Sequence, residues 1–451
     1  MRVLLLILYI MCSPIAAMAS SDITFPMGEA VDSIDHVVQS APAESAFTAT
    51  NANSLSTAKP HHWGFSVDIN PAMVLALDTY QRLWQKKKGV LAFVAKVNYH
   101  TSPADNDAFA ADYGYPTFSF GVRYAFTNAT MHRDLDPAWG QLVPVDYDSR
   151  LGNLAALFGE FNRPYWRKGR WEAEYSLGAG LGLAEKKYNI TNNIDDELIG
   201  SHCLIYFSAG THLTYRFADH WALRMGIDFF HHSNGALARP NKGSNIAGPS
   251  IGVQYFPEKY CAEQQKIIRE PFNHHWFLDF SAGIGGKTLL EDWLKTQFGT
   301  SPDSADYRTD KFKFFMTYSA QASIMYRYAR RWATGIGADL FYGTYAEHIE
   351  AMDHASGIDN KLSRWSVGLA LKHNAYYHNL SLRMAIGTYL YRHMGDNAKY
   401  NESAIYERIG VFYSFPSIGN LAVGLSVKAH ITKADFTEFV LSYPITLKKR
   451  K

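Results

Sequence analysis

Strict alternation of apolar and polar positions is the dominant pattern of this chain. In Phe118-Ser119-Phe120-Gly121-Val122-Arg123-Tyr124-Ala125-Phe126, every even position is large and apolar and every odd position is small or polar. A longer run from Trp171 sets Trp171, Ala173, Tyr175, Leu177, Ala179, Leu181 and Leu183 against Glu172, Glu174, Ser176, Gly178, Gly180, Gly182 and Ala184. A period of two places the two sets on opposite faces of an extended strand. Such length, with glycine, serine and charge opposite aromatics, fits a membrane barrel with lipid outside and a crowded polar lumen. A secreted β-sandwich would also alternate and is the weaker reading.

About sixteen such segments are predicted, starting near His62, Lys88, Pro116, Asn153, Arg170, Ile199, Trp221 and Gly248, then His274, Lys311, Trp332, Lys361, Leu380, Ala404, Gly419 and Phe436. The charged stretch Pro257 to Arg269 divides them into two sets of eight. Bacterial barrels use even strand numbers, so one sixteen-stranded barrel or two eight-stranded ones satisfy the count. The expected fold is an all-β, outer-membrane antiparallel β-barrel. The expected layout is a signal peptide over 1–19, a low-complexity arm over 20–60, a first barrel half over 61–257, a charged linker over 258–273 and a second half over 274–451.

The amino terminus reads as an export signal. Arg2 precedes an apolar run from Val3 to Met11, and Ala17-Met18-Ala19 supplies a small-x-small cleavage site before Ser20. Met11 is too large for a lipoprotein site at Cys12. Beyond that segment only Cys203 and Cys261 remain, which is no disulfide framework. The segment from Ser20 to Lys59, rich in Ala, Ser, Thr and Asn, suggests an arm without assigned function.

Composition narrows the classes further. A hydrophobic share of 47% with 19% charged residues excludes disorder. A net charge of +2 gives no nucleic-acid footprint, so no nucleic-acid partner is expected. Past the leader, no apolar run approaches the roughly 18–20 residues of a spanning helix, which excludes a helical membrane protein. The 14% aromatic content suits walls that face lipid. Neighbouring histidines such as His61-His62, His231-His232 and His274-His275 point to opposite faces of a strand. No metal or cofactor is therefore expected. The basic tail Lys448-Lys449-Arg450-Lys451 reads as a solvated end and departs from the aromatic finish of many outer-membrane barrels.

The chain also echoes itself. Tyr215-Arg216-Phe217-Ala218, Trp221-Ala222, Gly226, Asp228 and Phe230 recur as Tyr326-Arg327-Tyr328-Ala329, Trp332-Ala333, Gly337, Asp339 and Phe341. His61-His62-Trp63 recurs as His274-His275-Trp276. A duplicated unit is expected. In the second copy Tyr342 and Thr344 stand where His231 and Ser233 stand in the first, so that copy is expected to be inert.

Chemistry concentrates at the end of one strand. From Trp221 the row Leu223, Met225, Ile227, Phe229 is apolar, and its next members are His231 and Ser233. Side chains at i and i+2 share a face with Cα atoms about 6.6–6.8 Å apart, within reach for an imidazole and a hydroxyl. Such a pair can supply a nucleophile and its general base. The bland alternative is a polar barrel rim.

The segment His231-His232-Ser233-Asn234-Gly235-Ala236, with Pro240-Asn241-Lys242-Gly243 after it, resembles the active-site segment of the outer-membrane lipid A 3-O-deacylases, the PagL family. The resemblance is specific from Asp228 to Val253, diffuse from His61 to Phe256, and absent as a motif beyond. It implies an eight-stranded outer-membrane barrel that hydrolyses an ester-linked acyl chain of lipid A, with lipopolysaccharide or a related acylated lipid as partner. It implies Ser233 as nucleophile, His231 as base, and Asn234 with the Gly235 N–H as oxyanion donors; His232 takes no part. The family's acid is a glutamate, and here Asn245 stands in its place. Asparagine can hold the imidazole tautomer but cannot neutralise the imidazolium. If the strand through Ile251, Val253 and Tyr255 runs back without a bulge, Asn245 shares their outward parity and reaches His231. Two readings result: a serine esterase acting on lipid A, or a catalytically lapsed barrel serving as a pore or structural protein.

Overall fold

A computed structural model describes residues 61–259, 271–360, 362–395, 403–431 and 433–447. The expected signal peptide, the arm, Cys261, most of the charged linker and the basic tail lie outside the described residues.

Among the described residues, nineteen strands run in chain order as β1 (Trp63–Val74), β2 (Gln85–Lys87), β3 (Gly89–His100), β4 (Thr117–Thr127), β5 (Thr130–Met131), β6 (Ser149–Arg150), β7 (Leu154–Lys168), β8 (Trp171–Ala184), β9 (Cys203–Arg216), β10 (Trp221–Ser233), β11 (Ser244–Tyr255), β12 (His275–Thr288), β13 (Phe314–Ala329), β14 (Trp332–Gly343), β15 (Trp365–Tyr377), β16 (Leu380–Arg392), β17 (Ile405–Phe415), β18 (Leu421–His430) and β19 (Lys433–Thr446). Eight close one barrel in the order β1-β11-β10-β9-β8-β7-β4-β3, and β12 to β19 close a second. The alternative left open by strand counting is thus resolved: two eight-stranded barrels, not one of sixteen. The short β2, β5 and β6 form a separate three-stranded sheet. Helices α1 (Thr79–Trp84), α2 (Ala108–Tyr113), α3 (Leu290–Phe298) and α4 (Ala346–Ala355) lie in the connections.

Alternation explains both walls. On β1 the outward Trp63, Phe65, Val67 and Ile69 are exposed, while Ser66, Asp68 and Asn70 are buried in the lumen. An eight-stranded barrel has an interior just wide enough for side chains to fill. In the first lumen Lys96 meets Glu160 at 3.0 Å and Asp68 at 3.4 Å, Arg224 meets Glu174 at 2.9 Å, and His212 meets Asp228 at 3.1 Å. The second follows the same rule with Lys372 on Asp339 at 2.7 Å, Arg383 on Asp279 at 3.2 Å, and Arg408 on Glu438. Buried charges persist when paired. Two narrow barrels packed with such pairs are the opposite of a wide pore.

The β7–β8, β9–β10, β13–β14, β15–β16 and β17–β18 turns fall at one end, and there the outer wall carries aromatic neighbours. Trp63 packs on Tyr99, Phe65 on Tyr255, and Trp171 on Tyr215, with Trp276 on Tyr326 in the second barrel. Such rings suit a membrane interface. Most long connections lie at the other end, but the one between β3 and β4, which holds α2, lies at the same end as these turns.

The first echo does not fall on equivalent strands. β9 and β10 are the sixth and seventh strands of their barrel, whereas β13 and β14 are the second and third of theirs. Tyr342 and Thr344 therefore do not mirror His231 and Ser233 in the architecture. The His-His-Trp echo does fall on the first strand of each barrel.

Candidate active site

Register builds the site. In the β10–β11 pair Leu223 faces Val253, Met225 faces Ile251, and Ile227 faces Pro249, so the apolar outer rows stay aligned. The same register brings His231 opposite Asn245. Residues directly opposite on an antiparallel pair have Cβ atoms about 4.5–5.5 Å apart on one face. His231 Nδ1 and Asn245 Oδ1 accordingly lie 2.9 Å apart, with the asparagine oxygen able only to accept, so Nδ1 carries the proton and Nε2 is left basic. No ion pair to His231 is found among the described residues.

Ser233 closes the same outward row and ends β10, facing Ile205 of β9 across the ladder. No hydrogen bond joins its hydroxyl to the His231 ring among the described residues. Catalytic hydrogen bonds often tighten only when substrate arrives. His232 points inward, 1% exposed, with its ring edge-on to Tyr206 at 5.1 Å.

The turn after Ser233 is tightly determined. Asn234 is buried; its N–H donates to Asn241 Oδ1 at 2.9 Å, and its Oδ1 accepts from the Ala238 N–H at 3.3 Å. Its side-chain Nδ2 is buried without a hydrogen-bond partner among the described residues. Gly235 (φ +61°) and Ala236 (φ +71°) both adopt the left-handed conformation. Glycine does so freely; alanine gives up about 1–2 kcal/mol. No acceptor is found for either N–H among the described residues. Gly243 (φ +74°) ends the turn, and a Cβ there would stand 2.4 Å from His231 Cε1 and 3.1 Å from Nε2. Glycine lets the backbone press against the His231 ring.

Sequence reasoning placed Gly243 in a turn but missed its contact with His231, and missed the clamp by Asn241. It also missed a cap of polar contacts that holds the turn from outside. The Lys242 N–H donates to Glu197 O at 3.1 Å and the Gly243 N–H to Leu198 O at 2.9 Å. Lys242 Nζ meets Glu197 at 2.6 Å and Asp78, the N-cap of α1, at 3.2 Å. Burial pulls the Lys242 ammonium down, but Glu197 and Asp78 outweigh it and hold its pKa above the usual lysine value. Glu197 is shared with the second barrel: Arg308 meets it at 3.0 Å and Gln297 of α3 at 2.6 Å. No sequence motif announces contacts between chain segments so far apart.

No cluster of three His, Cys, Asp or Glu residues is set to hold a metal ion among the described residues.

Comparison with known proteins adds to this geometry. A family model described as "Lipid A 3-O-deacylase (PagL)" matches residues 77–254. Another, "Acyloxyacyl hydrolase, C-terminal domain", matches residues 276–448. The family likeness therefore extends through the second barrel, where the motif itself is absent. No curated protein matches the sequence. Similar solved structures include Neisserial surface protein A, at 10% identity over 43% of this chain and 96% of that one, with a TM-score of 0.26. The outer membrane enzyme PagL is 12% identical over 42% of this chain and 97% of its own, with a TM-score of 0.24. Two adjoining matches, one per barrel, place the chain in the outer membrane and in the lipid A 3-O-deacylase and acyloxyacyl hydrolase family, a family of acyl-removing hydrolases.

Proposed function

We propose that this protein is a serine esterase that removes an ester-linked acyl chain from lipid A in the outer membrane. The observation that carries this reading is the outward row of β10, which ends in His231, hydrogen-bonded to Asn245, and Ser233. Polar groups at the end of a lipid-facing row are costly and need a purpose. A nucleophile on the outer wall meets a multi-chain lipid without lifting it from the bilayer.

In the proposed reaction Ser233 Oγ attacks the ester carbonyl carbon while His231 Nε2 takes the hydroxyl proton. The carbonyl oxygen becomes an oxyanion, for which Asn234 and the Gly235 N–H are the proposed donors. One such donor is commonly worth about 2.7–4 kcal/mol of barrier. Collapse breaks the ester C–O bond, and His231 returns its proton to the departing sugar alcohol. Water, deprotonated by His231, then hydrolyses the acyl-serine and frees the fatty acid. Asn245 fixes the tautomer throughout but leaves the imidazolium without a counter-charge, which favours a slow enzyme.

Fatty acid release from lipid A in vesicles, measured with purified wild-type protein and Ser233→Ala, tests the reading. Release by wild type alone is expected. Equal, background release from both would favour the second reading, a lapsed enzyme, which the replacement of the family's glutamate by Asn245 supports.

A further inference from the structure

Among the described residues the second barrel carries no outward His-Ser row on its strands, yet it touches the first barrel at the turn that follows the proposed nucleophile. Thr437, on the outer face of β19, donates its hydroxyl to the Gly235 carbonyl at 2.9 Å. Thr288, at the end of β12, donates its N–H to the Ala236 carbonyl at 2.8 Å and its hydroxyl to the same oxygen at 3.1 Å. Arg239 returns the contact, its Nε and Nη2 donating to the Thr288 carbonyl at 3.1 and 3.0 Å. A Cβ on Gly235 would lie 2.1 Å from Thr437 Oγ1, so the approach is close enough to require glycine.

These contacts fall on the two consecutive left-handed residues of the turn. A strained backbone persists only where its surroundings over-determine it. Here the surroundings are two neighbouring strand ends of another barrel, rigid elements and not loops. A peptide unit is planar and trans, so its N–H points opposite to its C=O. Fixing the Gly235 carbonyl on Thr437 therefore fixes the direction of the Ala236 N–H. The Gly235 N–H is fixed in the same way by the neighbouring plane, whose Asn234 carbonyl accepts from Leu237 N at 3.2 Å. Both N–H groups lack an acceptor among the described residues. Oxyanion donors are effective when they are held in place before charge develops.

We propose that the second barrel is a positioning element for the oxyanion site of the first. Thr437 and Thr288 act as positioning residues, and the Ala236 N–H is a further oxyanion donor beside that of Gly235. This inference rests on the esterase reading above. It explains why a barrel without catalytic groups is joined to one that has them.

The test is Thr437→Val, which keeps the side-chain shape and removes the donor, with Thr437→Ser as the conservative rescue. In the full-length protein, kcat for lipid A deacylation is expected to fall about 10-fold with KM unchanged, and the serine variant to stay within about twofold of wild type. Amide exchange across residues 234–238 should quicken in the valine variant only. A valine variant with wild-type kcat, or with unchanged exchange, would overturn the proposal. Should wild type and Ser233→Ala prove equally inactive, the esterase reading fails and the catalytic role falls with it. The exchange measurement would then still decide whether the second barrel holds the turn.

Discussion

The two barrels share strand number, alternation and paired charges in the lumen, and they part at the end of one strand. Each has a seventh strand, β10 in the first and β18 in the second. Both strands finish near a histidine. His231 follows the outward row of β10 and meets Asn245 on the outer wall. His430 ends β18 facing the lumen, 3% exposed, with Nε2 2.7 Å from the Tyr389 hydroxyl. Shifting a strand's parity by one residue moves a side chain to the other face. The same residue type is thus a candidate base on one barrel and lumen packing on the other. The fold supplies a wall; which face receives the histidine decides whether chemistry is available.

The most severe way to break this contrast is to remove each histidine in turn. His231→Ala, like Ser233→Ala, should cut deacylation by about 10³-fold or more. His430→Ala should leave the rate within about twofold, since it changes only the second lumen. Comparable losses from both histidine variants would mean that the assignment by parity is wrong. Next in size is Gly243→Ala. Its Cβ would collide with the His231 ring, and a ring displaced by about 1 Å is expected to cost about 10²-fold in kcat. A fatty-acid release assay beside heat-modified gel migration separates this loss from unfolding. Asn245→Asp sharpens the contrast in the other direction. A carboxylate opposite His231 would stabilise the imidazolium, so a rise in kcat of about 10-fold is expected. A variant no faster than wild type would show that Asn245 is not what limits the rate.

The smallest expected effect concerns the cap. Lys242 has its pKa raised in the folded protein by Glu197 and Asp78, against the opposing pull of burial. A base with a raised folded pKa contributes stability that is fully present below its unfolded value, about 10.4, and lost as pH rises through the folded value. Protection of the loop over residues 185–202 from proteolysis should therefore stay constant across neutral pH and weaken only above about pH 10.4. Lys242→Met should abolish that alkaline transition. A transition persisting in the variant would assign it to another group.

Much of the fold was legible because lipid and lumen both act on every strand, one on each face. The predicted start near Trp221 coincides with β10, and those near Lys88 and Arg170 differ from the observed strands by one residue. Starts drifted where loops are themselves buried. Ile199 is fully buried in the core of the first barrel but precedes β9, so its apolarity reads as strand. β11 starts at Ser244, ahead of the expected Gly248, because Ser244 and Asn245 pair with His232 and His231. Helix α3 went unread: its Trp293 packs against Tyr188 and Ile194 of the other barrel, and contacts so distant in sequence leave no periodic trace. The same holds for Thr437 and Thr288. At the site, parity put His231 and Ser233 on one outward face, and the family resemblance pointed to Asn245, whose parity matches because β11 pairs with β10 without a bulge. The left-handed pair Gly235-Ala236 and the clamp by Asn241 depend on a turn whose conformation no alternation encodes.

Under the proposed function, the outward row ending in His231 and Ser233 cleaves an acyl ester of lipid A. Mass spectrometry of lipid A from cells expressing the wild-type chain or Ser233→Ala, at equal amounts of folded protein, tests it most directly. Lipid A lighter by one acyl chain is expected in wild-type cells, and intact lipid A with the variant. Identical spectra from the two, whether cleaved or intact, would contradict it.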